Sequence, residues 1–309
     1  MKLSRLRELM NSEDLNVCVH RGPGIGDVLM ATPAIRSIAE TFPACTLTVA
    51  TDTKYLNGAI PKVLQGNPHI DRVLDVGITR IEEYDMYVDL HCPCVPYEKN
   101  KNNPPRNRID LFGDHIGIPL DNYRPVYVPK EEEIEWAGEK IQHLHSDQPK
   151  VLIQPSASCD RRSYPHFKMK RVVTELAKRG YACFLATHTE DWYTDVLWNN
   201  IQGAHELMDW DVREIAAFMT HCDLVLCQDS AILHLAGALD VPAVALFGPT
   251  HPEARVNHYP RAIGIWGGKD LGPCPCWYDT CYIGAACWNY IYEDTVVETC
   301  IRHLEETRK

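Results

Sequence analysis

The sequence predicts an α/β protein with two successive domains, each built on a parallel β-sheet covered by helices. Its 309 residues are more than one hydrophobic core usually serves. Short β-rich runs alternate with amphipathic helical patterns, and that alternation is typical of parallel sheets. The pattern stops at a solvated helix and a Pro-containing link, residues 131–150, and then starts again. We therefore predict a first domain over 1–145 and a second over 146–290.

The first domain is predicted to contain four strands, at 16–20, 46–51, 72–76 and 84–90. The apolar residues after Asp27 recur at helical spacing, and Pro33 lies inside that pattern. Either the helix kinks at Pro33, or it restarts there with Thr32 as its cap. Residues 91–108 are rich in Pro, Asn and Lys, so we expect a long exposed loop that shapes ligand choice.

The second domain repeats this pattern. Its predicted strands are 151–155, 182–187, 223–229 and 242–248. Its predicted helices are 167–180, 190–200, 211–222 and 230–239. Asp211 and Glu214 have the spacing of a capping box at the start of one helix. Residues 291–309 form a last amphipathic helix, which we place against the first domain. Two such domains in series form a cleft at the carboxyl ends of their strands, where these folds bind ligands.

Charge and composition exclude several classes of function. The chain has 31 basic and 42 acidic residues and a net charge of -11. It has no basic block, so nucleic acid is not the expected partner. We find no run of 18 apolar residues, and residues 1–15 resemble a short amphipathic helix rather than an export signal. We therefore expect a cytoplasmic protein, with at most peripheral contact at the inner face of the membrane.

The first motif is RGPGIGDVLMATPA, residues 21–34, in which three glycines alternate before Asp27. It is not a Walker loop, because no Lys-Ser/Thr pair follows the glycines. It matches G-x-G-x-x-G only loosely, since the acid that a dinucleotide site needs would be the distant Asp52. Asp27 either complements the helix dipole or acts as a general base in a cleft. In the second interpretation, Gly24 and Gly26 line the acceptor side.

The second motif is CDLVLCQDSAILHLAGALDVPAVALFGPTHPEAR, residues 222–255. A buried strand ends in Asp229, and a helix opens with Ser230 and Ala231. Free backbone N–H groups at such a helix start bind phosphate well. His234 lies one turn inside that helix. Taken alone, it indicates a structural histidine whose ring nitrogens have hydrogen-bond partners within the protein. FGPTHP, after the next strand, reads as a turn.

The third motif gathers four cysteines within residues 272–291, namely Cys274, Cys276, Cys281 and Cys287. Four thiolates in so short a span suit a tetrahedral zinc or iron site. The alternative is a set of reduced structural thiols or adventitious disulfides. The chain has 13 cysteines, an odd number that cannot pair completely. Cys92 and Cys94 form a further C-x-C without a partner that we can name.

The first two motifs together resemble those of glycosyltransferase family 9, the ADP-heptose:lipopolysaccharide heptosyltransferase group. GIGDVLMATPAIRSI and DSAILHLAGALDVPAVALFGPTHP resemble two motifs of the family in their residues and in their order along the chain. The resemblance implies a GT-B fold, with two Rossmann-like domains and their parallel sheets facing a central cleft. The first domain would take the acceptor and the second the nucleotide-diphosphate sugar.

The resemblance also implies an inverting transfer of a sugar, a heptose before others, to an acceptor hydroxyl. That acceptor would be a lipopolysaccharide core or another glycan, lipid-linked or on a protein. Catalysis in the family is not thought to need a metal. Many members carry a Cys-rich segment in this place, and some relatives that modify autotransporters bind iron through one, so any metal here would be structural.

Site residues carry over position by position. Asp27 matches the family's proposed catalytic aspartate. Asp229 matches the acid that begins the donor-contacting block D-[ST]-G-x-x-H, in which Ser230 keeps the hydroxyl residue. Ala231 stands in place of the family's glycine, and His234 matches the block's histidine.

Three further donor contacts follow from the same comparison. In RRSYP, residues 161–165, Arg162 stands where a phosphate-binding lysine is usual, and a guanidinium can hold a diphosphate bidentately. Trp210 falls where the family places an apolar residue against the nucleotide base, although ordinary core packing explains it equally well. Glu190 falls where ribose hydroxyls are held, although exposed acids are common at helix starts.

Two other functions stay open. One is a nucleotide-sugar epimerase or hydrolase of the same fold. The other is a non-catalytic nucleotide-binding scaffold, against which the retained Asp27 and Asp229 argue. The sequence contains neither a G-x-S-x-G nucleophile elbow nor H-E-x-x-H.

Overall fold

The computed structural model describes residues 15–144, 147–188, 201–272, 274–276, 281 and 283–307. The chain divides into two compact units, Met1–Val128 and Pro129–Lys309. The helices predicted near the N-terminus and over 190–200 lie outside the described residues.

The first unit contains a four-stranded parallel sheet in the order β3-β2-β1-β4. Its strands are β1 (Leu15–His20), β2 (Cys45–Thr51), β3 (Arg72–Asp75) and β4 (Met86–Asp89). All four predicted strands are present. β1 and β2 are the central pair and bury Val17, Val19, Leu47 and Val49 completely. The carboxyl ends of β1 and β4 therefore lie side by side, at one edge of the sheet.

From residue 15 onward, four α-helices accompany this sheet: α1 (Ile25–Thr41), α2 (Ala59–Leu64), α3 (Val95–Lys99) and α4 (Arg108–Ile116). The predicted loop over 91–108 therefore contains the short helix α3 and ends where α4 begins. The side chain of Asn107 caps α4 by accepting the Ile109 N–H over 2.9 Å. This cap is local and fixes where the loop stops.

α1 runs through Pro33 without restarting. Pro33 has no N–H, so the carbonyl of Leu29 loses its usual helical partner. The buried hydroxyl of Thr32 donates to that carbonyl over 2.6 Å and accepts the Val126 N–H over 2.7 Å. Thr32 thus repairs the helix from within and is not its cap.

The second unit contains a six-stranded parallel sheet in the order β10-β9-β8-β5-β6-β7. Its strands are β5 (Lys150–Ile153), β6 (Ala182–Thr187), β7 (Ala204–Met208), β8 (Leu224–Gln228), β9 (Ala243–Phe247) and β10 (Ala262–Trp266). The four predicted strands are the inner ones. β7 and β10 were not predicted. They lie at the two edges and are mostly half-buried, so their apolar pattern is weak.

The described residues of this unit contain six α-helices: α5 (Glu131–Leu144), α6 (His166–Lys178), α7 (Val212–Met219), α8 (Ala231–Leu239), α9 (Glu253–Val256) and α10 (Glu293–Thr307). The predicted capping box is confirmed. Asp211 accepts the N–H groups of Arg213 and Glu214, and the Glu214 carboxylate accepts the Asp211 N–H over 2.7 Å. No helix in the described ranges is both long enough and apolar enough to cross a membrane.

The structure divides the chain between Val128 and Pro129, ahead of the predicted boundary at 145. The reason is α5, which packs on α7 of the second unit. Buried Arg213 binds Glu133 through two charge-assisted hydrogen bonds, one of them 2.7 Å long. The last helix, α10, buries its apolar face in the core of its own unit, against α6, β8 and β9. This helix was instead predicted to lie against the first domain.

Candidate active site

Asp27 lies in the first turn of α1, shortly after the carboxyl end of β1. Gly24 caps this helix with φ at +111°, a conformation that favours glycine. A Cβ added there would lie 3.2 Å from Oδ2 of Asp27, so the glycine also leaves room for the carboxylate. Gly26 lies within the same first turn. The glycine motif therefore presents an acid at the end of the sheet.

Two buried guanidinium groups hold this carboxylate. Nη2 of Arg21 is 3.0 Å from Oδ2 of Asp27, and Nη1 of Arg108 binds Oδ1. The side chains of Arg21 and Arg108 are 5% and 9% exposed, whereas that of Asp27 is 26% exposed. The carboxylate is therefore the member of this group that a ligand reaches most easily.

Glu98, on α3, binds the other side of Arg108. Nε and Nη2 of Arg108 each donate to one Glu98 carboxylate oxygen over 2.7 Å, which is the strong bidentate arrangement. Burial alone would lower the pKa of Arg108, but Asp27 and Glu98 raise it well above its ordinary value. We call Asp27, Arg21, Arg108 and Glu98 the Asp27 cluster. Its last three members were missed by the sequence analysis, since nothing in the sequence pairs them with Asp27.

A second group of side chains lies beside the cluster, at the ends of β1 and β4. Nδ1 of His20 is 3.2 Å from Oδ1 of Asp89, and the His91 ring stacks on His20 at 5.3 Å. Burial lowers the pKa of His20, and Asp89 opposes that effect only in part. A Cβ on Gly22 would lie 1.9 Å from the His91 ring. Glycine at position 22 thus lets the loop after β4 approach the glycine motif.

In the second unit, Asp229 directly follows β8 and is 5% exposed. Nε of Arg255 lies 3.3 Å from its Oδ1, and Nη1 of Arg162 donates to its backbone carbonyl over 3.0 Å. Burial raises the pKa of Asp229, but Arg255 and Arg162 outweigh it, so the pKa lies below its ordinary value. This acid is therefore held as a buried carboxylate.

Two buried polar atoms beside Asp229 lack a well-formed hydrogen bond among the described residues. They are Oδ2 of Asp229 and the hydroxyl of Thr250, which lies in the turn after β9. The hydroxyl is near enough to help lower the pKa of Asp229, but its geometry falls short of a hydrogen bond. Buried atoms of this kind mark a place where a polar ligand or water belongs. We call Asp229, Arg162, Arg255 and Thr250 the Asp229 cluster.

α8 begins next to this cluster. Ser230 precedes the helix, but its side chain does not cap it, because its hydroxyl donates to Oε1 of Gln154 instead. Ala231 is the first helical residue. The first backbone N–H groups of α8 are therefore not used by the cap side chain, which is the arrangement that binds anions.

His234 lies one turn further inside and is 2% exposed. Its Nδ1 is 2.7 Å from the hydroxyl of Tyr259. Gly237 makes room for that tyrosine, since an added Cβ would lie 2.6 Å from the ring. His234 thus supports the cluster from the core side, through a partner that the sequence did not reveal.

Trp210 lies among aromatic rings between α5 and α7. Its ring centroid is 4.9 Å from that of Trp136 and 5.3 Å from that of Phe218. These contacts are those of the packing interpretation, and the contact with a nucleotide base stays a prediction. Glu190 lies outside the described residues.

The four clustered cysteines come together in the second unit. Burial, followed by the neighbouring thiols of Cys276 and Cys287, raises the pKa of Cys274 to about 12, and Cys281 also acts on it. Burial, followed by the neighbouring thiols of Cys276 and Cys281, raises the pKa of Cys287 to about 11. Within the described ranges, no group of three or more His, Cys, Asp or Glu side chains is arranged as a metal site. The four thiols therefore lie near one another, and a metal ion among them stays a prediction.

Comparison with known proteins gives a family match. Residues 99–285 match the family model described as glycosyltransferase family 9 (heptosyltransferase). Lipooligosaccharide heptosyltransferase 2 of Haemophilus influenzae is 26% identical over 296 residues, covering 77% of this chain and 85% of that protein. Lipopolysaccharide heptosyltransferase 2 of Salmonella typhimurium is 26% identical over 138 residues, which is 40% of this chain. The chain spans only 39% of that relative's length.

Solved structures show the same fold. ADP-heptose lipopolysaccharide heptosyltransferase II of E. coli matches with a TM-score of 0.67 and 17% identity, over 96% of this chain and 100% of that chain. The iron-containing dodecameric glycosyltransferase TibC of enterotoxigenic E. coli matches with a TM-score of 0.68 and 16% identity, over 96% and 77%. The two parallel α/β units are thus those of a GT-B fold, as the motifs predicted.

Proposed function

Because this chain belongs to glycosyltransferase family 9, we propose that it transfers a heptose from ADP-heptose to a hydroxyl of a lipopolysaccharide-type acceptor. The heptosyltransferases among its relatives support the reaction, and the ADP-heptose lipopolysaccharide heptosyltransferase II of E. coli, which shares the fold, supports the donor. The observation that carries the proposal is the Asp229 cluster, in which a buried acid, a guanidinium and a helix start meet.

The donor diphosphate lies, in this proposal, at the start of α8 beside Arg162. The helix N–H groups and the guanidinium both attract anions. As the bond between the sugar and the diphosphate breaks, negative charge grows on the leaving ADP, and these groups stabilise it. Nη1 of Arg162 is already fixed by the Asp229 carbonyl at 3.0 Å, so this cation is positioned before the donor arrives.

Asp229 holds hydroxyl groups of the donor sugar. Its Oδ1 faces Arg255, while its buried Oδ2 still has the capacity to accept hydrogen bonds. The hydroxyl of Thr250 offers a second polar contact at the same place. A sugar hydroxyl that donates to Oδ2 would give this atom the well-formed hydrogen bond that it lacks among the described residues, and this favours a polyhydroxylated ligand.

Asp27 is the general base in this proposal. Its carboxylate takes the proton of the acceptor hydroxyl as that oxygen forms a bond to the anomeric carbon. The bond to the ADP oxygen breaks on the opposite face, so the anomeric configuration inverts. Arg21 and Arg108 fix the carboxylate, and its partial exposure leaves it within reach of an acceptor.

The reaction is tested by mixing the protein with ADP-heptose, with and without a heptose-deficient lipopolysaccharide acceptor. A transferase releases ADP only when acceptor is present, and mass spectrometry finds the heptose on the acceptor. NMR of the product gives the anomeric configuration. Free heptose without acceptor would indicate a hydrolase, and an altered ADP-sugar would indicate an epimerase. An unchanged donor that still binds would indicate a scaffold.

The four clustered cysteines are proposed to hold one structural zinc or iron ion after deprotonation. Four thiols in one place are the donor set of such sites, and TibC, a glycosyltransferase of the same fold, is iron-containing. The metal would cross-link the segment over 274–287. Metal analysis of the purified protein tests this, with Cys281→Ser expected to lose the ion and Cys159→Ser, an exposed cysteine outside the group, expected to keep it.

A cytoplasmic location, with at most peripheral membrane contact, fits the thiol chemistry. None of the 13 cysteines, all of which lie in the described residues, forms a disulfide, as is usual in a reducing compartment. Cell fractionation tests this location. Recovery of the protein with disulfide-bonded exported proteins would contradict it.

A further inference from the structure

Trp288 touches two segments that carry members of the Asp229 cluster, the loop of Arg162 and the turn of Thr250. It follows Cys287 and is 3% exposed. Its indole N–H donates to the carbonyl of Arg161 over 3.0 Å, in the loop over 157–165 that carries Arg162. The same ring lies against Gly248, where an added Cβ would be 2.6 Å from two ring atoms. Gly248 begins the 248–250 turn, which ends in Thr250.

The loop over 157–165 is tied to the Trp288 segment by further hydrogen bonds. The hydroxyl of Tyr164 and Nζ of Lys168 both donate to the carbonyl of Ile291 over 3.0 Å. Nζ of Lys168, which is buried, also donates to the Trp288 carbonyl over 3.1 Å. The ring of Tyr164 packs against the indole edge to face, with centroids 5.8 Å apart. The backbone at Trp288 and after it is thus fixed to the segment that follows Arg162.

The 248–250 turn is enclosed from the same side. The N–H of Cys276 donates to the Pro249 carbonyl over 2.9 Å, and Nε1 of Trp266 donates to the Gly248 carbonyl over 3.2 Å. A Cβ on Gly248 would also lie 3.1 Å from Sγ of Cys287. The cysteine-rich segment therefore lies directly behind the turn, and Trp288 bridges from it to Arg162.

A buried indole N–H needs a hydrogen-bond partner, and the choice of partner decides which segment the ring holds in place. Trp288 uses its one polar group on the carbonyl next to Arg162, and its ring leaves no room for a side chain at the turn. A small displacement of this ring would move the loop that carries Arg162 and the turn that carries Thr250. This geometry is that of a residue that sets the distance between two ligand contacts.

We propose that Trp288 is a positioning residue, which holds Arg162 and Thr250 in the arrangement that receives the nucleotide-diphosphate sugar. The proposal rests on the donor site proposed above and deepens it. It extends the role of the cysteine-rich segment from stabilising the fold to ordering the donor site.

The test compares the full chain with Trp288→Phe, which keeps an aromatic ring and removes the indole N–H. Amide hydrogen exchange of residues 157–165 and calorimetric binding of ADP are measured where both proteins are folded. We expect exchange in that segment to be about tenfold faster and the ADP dissociation constant to rise about fivefold, as expected for the loss of one hydrogen bond.

Leu304→Ala is the control. Leu304 belongs to the same hydrophobic core as Trp288, but its aliphatic side chain cannot form a hydrogen bond to the Arg162 loop. It should lower the unfolding temperature without changing either measurement. Equal changes in both variants, or in neither, would overturn the proposal. Hydrogen exchange is measured without nucleotide, so it tests the role of Trp288 independently of the donor. If the wild-type protein bound no ADP, the proposed donor would be contradicted, but the exchange rates would still decide whether Trp288 orders the loop.

Gly248→Ala tests the second contact. Its Cβ would collide with the indole, whereas Gly272→Ala meets nothing within 4 Å and serves as control. We expect Gly248→Ala to weaken ADP binding, and Trp288→Phe in the same chain to recover part of the loss by making room. A Gly248→Ala protein that binds ADP as Gly272→Ala does would overturn the proposed contact.

Discussion

Arg108 binds the carboxylate of Asp27 although 81 residues separate them in the sequence. The same guanidinium is held on its other side by Glu98. A side chain fixed by two ion pairs loses little further freedom when a substrate arrives, so the proposed base is positioned in advance. The first two predictions follow from this chain of contacts.

Asp27→Asn should abolish transfer. The amide cannot accept the acceptor's proton, so kcat should fall by about 10²–10⁴-fold. ADP binding should persist, because the donor contacts lie in the Asp229 cluster. Kinetics and calorimetry measure the two effects separately. Asp121→Asn, an exposed acid of the same unit, is the control. Transfer by Asp27→Asn at near wild-type rate would rule out Asp27 as the base.

Glu98→Gln should remove one of the two ion pairs of Arg108. The buried guanidinium then keeps its contact with Asp27 but loses the bidentate contact with the carboxylate of residue 98, so the free energy of unfolding should fall by about 1–3 kcal/mol. Because Asp27 is then held less firmly, kcat should also fall while the ADP dissociation constant stays unchanged. Urea unfolding and kinetics test both effects. Glu82→Gln, at an exposed position, should change neither. A stable, fully active Glu98→Gln protein would remove Glu98 from the site.

All four strands of the first sheet, the inner strands of the second and the acids that follow β1 and β8 were predictable, because apolar runs and local motifs encode them. β7 and β10 were not, since these two edge strands are mostly half-buried and their composition is mixed. Arg108 and Arg255 were missed for a different reason. Each is one of many charged residues in the sequence, and only the fold shows which acid it meets. Trp288 lies within the cysteine motif over 272–291, and nothing in the sequence indicates that its indole N–H binds the carbonyl of Arg161.

Thr32→Val should destabilise the first unit more than its size suggests. The change keeps the shape but removes the hydroxyl that serves both the Leu29 carbonyl and the Val126 N–H. Two backbone groups then lack partners, at a cost of about 1–3 kcal/mol each. Urea unfolding measures the loss. Thr41→Val in the same helix should cost about 0.5 kcal/mol or less, because its hydroxyl only reinforces an ordinary helical carbonyl. Equal losses would show that the repair at Pro33 is not needed.

The Arg255–Asp229 pair should make stability depend on acidity. The pKa of Asp229 is lowered in the folded protein, so between the two pKa values the unfolded chain binds more protons. The stabilisation is therefore complete above the unfolded pKa, near about 4, and is lost as pH falls through the lower folded value. The difference in unfolding free energy between wild type and Asp229→Asn should be constant above about pH 5 and shrink toward pH 3. A difference that grows toward acid would contradict the direction of the shift.

Arg162 should matter to the donor through its charge and its planar fork. Arg162→Met removes both, and the ADP dissociation constant should rise by about 10- to 100-fold, the range for a charge-assisted hydrogen bond. Arg162→Lys should recover part of that loss, because an ammonium still attracts the diphosphate but cannot bind it bidentately. Arg161→Met is the matched control, since its backbone carbonyl keeps the bond to Trp288 whatever the side chain. If Arg162→Met binds ADP as Arg161→Met does, the diphosphate does not lie beside Arg162, and the start of α8 would have to hold it alone.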